Sequence, residues 1–177
     1  MVERSRYSQV AIWLHWIIAI AVITNIGLAG LTEDLPREVR GVYMGYHKAL
    51  GVTILVLSVA RLLWRLGHKP PPLPNTTPVW QAAFAKTTHF LFYVLLIGLP
   101  LSGWIWMSSA PAPFSYFGLF EVPLFPVAGQ KALGDALHSG HELAGTAMFF
   151  LIILHLLAAA KHQFIDKDNL IRRMWPA

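Results

Sequence analysis

The feature that most constrains this chain is a set of apolar windows of about 20 residues that contain no charged side chain, the length a helix needs to cross hydrocarbon. Whole proteins built this way sit in a lipid bilayer. Hydrophobic residues make up 55% of the 177 positions and charged residues only 13%, whereas a soluble domain keeps roughly a quarter of its residues charged. The fold class that follows is all-α, an integral membrane bundle of four spanning helices forming a single domain over residues 1–177.

The spans are read at about residues 10–31, 43–64, 87–107 and 141–160. The first is interrupted only by His15, Thr24 and Asn25, and it follows Arg4 and Arg6. A basic start, an apolar core and small residues near Ala29 and Gly30 are also the ingredients of a cleaved signal peptide. The apolar core is longer than a typical signal's, however, and a histidine flanked by Trp13 and Trp16 has no purpose in a discarded segment. The second span has twelve uncharged residues between Lys48 and Arg61, whose long side chains can snorkel to the interfaces, so a slightly short or tilted helix is expected. In the third, Gly98, Pro100 and Gly103 predict a kink or weakened packing. A proline-rich linker from Gly67 to Pro74 reads as extended and exposed, and separates two helical pairs. The connection from Ala110 to Leu137, with Phe114, Tyr116, Phe117, Phe120 and Phe125, reads as an interfacial aromatic layer rather than a folded domain.

Sorting Lys and Arg by side sets the expected orientation. The N-terminal tail, the second loop and the C-terminal tail carry two, four and four, against four in the remaining loops. Both termini are therefore expected to be cytoplasmic. The formal charge of +5 reads as this topology signal and not as a nucleic-acid surface, because the basic residues flank apolar segments and form no patch with interleaved aromatics. The absence of cysteine excludes disulfides, thiolate-held iron–sulfur clusters, covalent c-type haem and thiol nucleophiles. Histidine remains as the obvious cofactor ligand.

Ionisable side chains inside a span are costly, so each intramembrane histidine calls for a reason. They fall into two levels: His15 and His155 toward the cytoplasmic side, His47 and His141 at the outer ends of the second and fourth spans. His141 and His155 are fourteen residues apart, nearly four turns of a helix, so they share one face at a separation of roughly 21 Å. Arg61 likewise lies fourteen residues after His47, which sets a guanidinium level with the inner site, where haem propionates would need a cation. Structural zinc wants four clustered ligands. Two histidines on different helices at each level instead suit axial ligation of two haem irons, with no open position and hence electron transfer. Small residues nearby, among them Ala19, Gly45, Gly51, Ala144 and Gly145, would let a flat macrocycle approach the backbone. The run His138, His141, Glu142 does not match the spacing of a metalloprotease helix. His89 and His162 are left over on the cytoplasmic side, where they either protonate a quinone or are simply solvated. His68 beside the prolines reads as exposed.

Several of these residues also stand in recognisable strings: Trp13-Leu14-His15-Trp16, His47-Lys48-Ala49-Leu50-Gly51, Arg61-Leu62-Leu63-Trp64-Arg65 with the prolines that follow, His138-Ser139-Gly140-His141-Glu142, and Lys167-Asp168-Asn169-Leu170-Ile171-Arg172-Arg173-Met174. Through them the chain resembles the bacterial cytochrome b561 family over almost its whole length. The resemblance implies a four-helix bundle in the bacterial inner membrane with two haems b, axial pairs His15 with His155 and His47 with His141, and a quinone at the cytoplasmic side near His89 and His162. Within the family it looks like the members that oxidise superoxide. That likeness implies an oxidoreductase in which superoxide outside gives an electron to the outer haem, the inner haem receives it, and ubiquinone is reduced.

The outer loops temper that expectation, because their four basic and six acidic residues sum to minus two, while an anionic substrate is best drawn by a positive entrance. Arg37, Arg40 and Lys48 are the candidates for a local positive patch beside His47. A relay in the opposite direction, from quinol to a soluble periplasmic redox protein, suits acidic loops and a basic partner. A haem-binding membrane anchor of a larger complex is a third reading.

Overall fold

The computed structural model describes residues 6–73, 77–110, 112–168 and 170–176; Arg4, Pro74 and Asn169 lie outside them. Among the described residues four helices are long and apolar enough to cross a membrane: α1 (Gln9–Gly30), α2 (Arg37–Gly67), α3 (Val79–Ser109) and α4 (Lys131–Lys161). No strand is present among the described residues; Ser115 and Glu121 make an isolated antiparallel bridge. The four expected spans are all there. Three of them run 31 residues, about 46 Å of helix, so their ends project beyond a hydrocarbon layer of about 30 Å.

Local chemistry sets the boundaries. Ser8 caps α1 by accepting the amide of Ala11, and its hydroxyl also accepts from Nε1 of Trp64 near the end of α2. Pro36 and Pro78, both in extended backbone, precede α2 and α3; Pro is unsuited to a helix interior but harmless where the first amides have no intrahelical partner. The second helix is thus neither short nor truncated, contrary to the sequence expectation, because its first turns are polar and invisible to hydropathy. Helix α3 continues through Pro100 without a break. The connection expected to reach Leu137 ends at Gln130, since α4 begins at Lys131.

Helix α1 packs on α2, α2 on α3 and α3 on α4, while the backbones of α1 and α2 approach that of α4 at few positions at most. Ile18, Ala21, Val22, Ile54 and Met148 form a buried apolar plug midway along the bundle, ringed by Leu50, Leu57, Phe92, Leu96 and Ile152. Outward faces carry exposed Ile, Leu, Val and Phe, an arrangement stable only where the solvent is itself apolar. Without a hydrophobic drive between helices, association rests on close packing and interhelical hydrogen bonds of about 0.6 kcal/mol on average.

Both chain ends and the α2–α3 linker meet at one end of the bundle, the terminal end. Trp16 Nε1 donates to Met174 O at 2.7 Å, the amide of Tyr7 to Arg173 O at 3.3 Å, and Arg173 Nη1 to Pro72 O at 2.6 Å. At the opposite, far end, residues 114–122 form a tight hairpin turned by Phe117 and Gly118, both with positive φ. Phe114 and Val122 are buried, and the Tyr116 hydroxyl shares a hydrogen bond with Thr53 Oγ1 of α2 at 3.0 Å. The aromatic layer expected here therefore divides. Phe114 and Tyr116 turn inward, and Phe117, Phe120 and Phe125 stay outside.

Candidate functional site

At the far end His47 of α2 faces His141 of α4, with ring centroids 6.2 Å apart and planes crossed at 74°. Neither residue opens its helix, as the hydropathy boundaries implied; each lies ten residues inside. Both rings are held from behind. Nδ1 of His47 lies 3.0 Å from the carbonyl of Asn25, and Nδ1 of His141 lies 3.1 Å from the carbonyl of Leu99 and 3.0 Å from Oγ of Ser102. A proton on Nδ1 satisfies the carbonyl and leaves the Nε2 lone pair for a ligand, the usual way a protein fixes the tautomer of a metal-binding histidine. Gly103 adds the space, since a methyl group there would lie 3.1 Å from Cε1 of His141.

Toward the terminal end the device repeats between α1 and α4. His15 and His155 have ring centroids 6.3 Å apart and planes crossed at 75°. Two metal–nitrogen bonds of about 2 Å, plus about 1.15 Å from each nitrogen to its ring centre, put imidazoles on opposite sides of one metal about 6.3 Å apart. Both pairs match. Both also span helices whose backbones are held apart, as a flat macrocycle between them requires.

A third ring joins the second pair. His89 of α3 is also 6.3 Å from His155, at 61°, and Phe92 packs edge-on at 5.3 Å. Sequence reasoning put His89 on the correct side but not in contact with His155. Because α3 and α4 pack closely, there is less room for a macrocycle between His89 and His155 than between His15 and His155. Arg61 reaches the same level, where Nη1 donates to the carbonyl of Ala11 at 3.0 Å; a guanidinium has five donors, so others remain for an anionic group. His162 lies beyond α4, its Nδ1 2.6 Å from Oδ2 of Asp168.

The cationic candidates of the far end occupy the first four turns of α2. Arg37 and Arg40 are exposed, Lys48 is partly buried over the ring of Phe114, and no ion pair engages any of them among the described residues. Arg40 precedes His47 by seven residues and so lies on the same helix face. His138 stacks on Trp106 and pairs with Glu142 at 3.2 Å. His68 stacks on Trp64 and is exposed, as expected.

A sequence profile described as prokaryotic cytochrome b561 matches residues 6–177. The chain belongs to the prokaryotic cytochrome b561 family. Cytochrome b561 homolog 2 of Escherichia coli (strain K12) is 33% identical over 96% of this chain and 90% of its own length. Probable superoxide oxidase CybB of Yersinia pestis is 32% identical over 97% and 96%. Cytochrome b562 of Cereibacter sphaeroides is 26% identical over 98% of each. As a cytochrome b561, the chain is a bacterial membrane protein of an electron-transferring, haem b-binding family. The crossed histidine pairs, with Nδ1 engaged at the far end and the backbones held apart, fit that cofactor.

Proposed function

We propose that residues 1–177 form one di-haem domain that passes electrons across the bacterial inner membrane, oxidising superoxide at the periplasmic face and reducing ubiquinone at the cytoplasmic face. The carrying observation is the pair of crossed imidazole couples near opposite ends of α4, with the apolar plug between them. The similarity to a probable superoxide oxidase supports the substrate and the direction. The excess of Lys and Arg in the tails, the α2–α3 linker and the helix ends beside them supports cytoplasmic termini, so the far end is periplasmic.

In this reading His47 and His141 hold one haem b and His15 and His155 the other. Bound there, the two haems supply one-electron redox centres on either side of the plug. Arg40 and Lys48 draw the anion toward the far end, with Arg37 extending the patch outward. Arg61 neutralises a carboxylate at the terminal end. His89 and His162 are the candidate proton donors and hydrogen-bond partners for a quinone carbonyl. The overall balance is two superoxide, one ubiquinone and two protons giving two oxygen and one ubiquinol.

The net charge of minus two on the far-end loops and helix ends together favours a second reading, in which quinol gives electrons outward to a basic periplasmic redox protein. One experiment separates them. Purified oxidised holoprotein is mixed with a superoxide source and haem absorbance is followed with and without ubiquinone. Prompt haem reduction, reversed by ubiquinone, is expected. Haems that stay oxidised under superoxide yet are reduced by ubiquinol would instead establish the outward relay.

A further inference from the structure

The most deliberately built feature outside the haem sites follows α4. The helix widens into a π-helical turn, His162–Asp166, and Lys167 then takes a left-handed conformation with φ 52°. A residue with a side chain pays about 1–2 kcal/mol to sit there, and both π-turns and such outliers gather at functional sites. The result of the reversal is specific. Asp168 is brought back onto His162, so that Oδ2 accepts from Nδ1 at 2.6 Å while Oδ1 accepts the amide of Leu170 at 3.1 Å. Asp166 also approaches Nδ1, at 3.3 Å, but is itself paired with Lys161. Every polar contact of the ring is thus made at Nδ1, and Nε2 has no protein partner among the described residues. His162 follows His155 by seven residues, which puts it on the same face about 10 Å further along. Asp168, though not His162 itself, also lines an open cleft of about 950 Å³ bounded by Phe164, Ile171, Arg172 and Trp175, within the size range of small-molecule pockets.

We propose that Asp168 is a positioning residue for quinone reduction: it holds His162 by Nδ1 so that Nε2 carries the proton delivered to the quinone oxygen. This rests on the proposed quinone site at the terminal end. When two electrons reach the quinone, it takes two protons. One leaves Nε2 of the protonated ring while Nδ1 stays bound to the carboxylate; the other comes from solvent, and the neutral ring then recovers its proton from water. The charged groups facing the ring are Asp166 and Lys161 from its own segment and Asp168 from the tail. Arg6, Arg172 and Arg173 border the adjoining cleft.

The test uses full-length holoprotein reduced with stoichiometric dithionite under anaerobic conditions, mixed with a short-chain ubiquinone, with haem reoxidation followed by stopped flow. Asp168→Asn and Asp168→Ala should slow reoxidation at saturating quinone by about tenfold or more, the scale of losing an orienting partner. The half-saturating quinone concentration should hardly change, and Asp168→Glu should recover most of the rate. Haem spectra and superoxide-driven reduction should stay as in the parent. Parent-like reoxidation in Asp168→Asn overturns the role of Asp168 alone, as does equal slowing in Asp168→Glu with altered haem spectra, which marks a structural effect. A parent protein that ubiquinone cannot reoxidise overturns the quinone reading and this inference with it.

Discussion

At position 103 the side chain is a single hydrogen, and that is what lets His141 stand against α3. A methyl group there would press on the ring at 3.1 Å and 3.3 Å, and a branched side chain would push it off the carbonyl of Leu99 and the hydroxyl of Ser102. Gly103→Val is expected to weaken haem binding at the far end by about 10–100-fold, the scale of losing the groups that orient a ligand, and to leave the terminal-end haem in place. Haem content and redox titration of the two centres check this. The histidines themselves were legible because an ionisable side chain inside a span is costly enough to need a purpose. Their supports were not. Gly98, Pro100 and Gly103 read as a kink because small residues and proline have several uses in a helix, and Asn25 contributes to His47 through a backbone carbonyl that no side-chain pattern announces. Asp168 was visible only as part of a string, since its pairing with His162 depends on a left-handed turn at Lys167.

Helix α4 carries its chemistry on one heptad stripe, His141, Met148 and His155, which His162 extends just past its end. Seven residues fall 20° short of two full turns, so they stay in line, and Met148, 2% exposed, fills the interval between the two histidine levels. Helix α2 has the matching stripe His47, Ile54 and Arg61, again with a buried apolar residue, Ile54, in the gap. Because each level draws on different partners, the levels should fail independently. His47→Ala should halve the haem content and leave a spectrum of the terminal-end centre, whereas His15→Ala should leave the other; pyridine haemochrome assays give the count. Loss of both haems in either variant would contradict the pairing. The fourteen-residue spacing made this stripe readable, but the helix boundaries were not. Hydropathy sees only the part of α4 inside lipid, and the turns from Lys131 to Gly140 contain Lys131, Asp135 and His138, which are polar enough to pass for loop.

Taken whole, the molecule shows an apolar exterior and an uneven distribution of charge along its axis. The far-end loops and helix ends together sum to minus two, yet Arg37 and Arg40 are exposed, without ion pairs among the described residues, on the helix that leads to His47. If that local patch and not the overall sign governs encounter with superoxide, the rate of haem reduction should fall as salt is added, and Arg40→Glu should lower it about tenfold at low ionic strength. Stopped-flow rates over a salt series check both; a rate indifferent to salt and to Arg40 would assign the patch no steering role. The scarcity of close backbone approaches between α4 and either α1 or α2 also bears on how such a protein is made. After insertion, α3 packs most extensively on α4 among the described residues, while α1 and α2 meet it chiefly at the Met148 plug, and an interhelical hydrogen bond in lipid contributes only about 0.6 kcal/mol. A ligand present at a thousand times its dissociation constant contributes about 4.1 kcal/mol. On the proposed ligation, the newly inserted chain is therefore an open clasp, and delivery of the cofactor is the maturation step that shuts it.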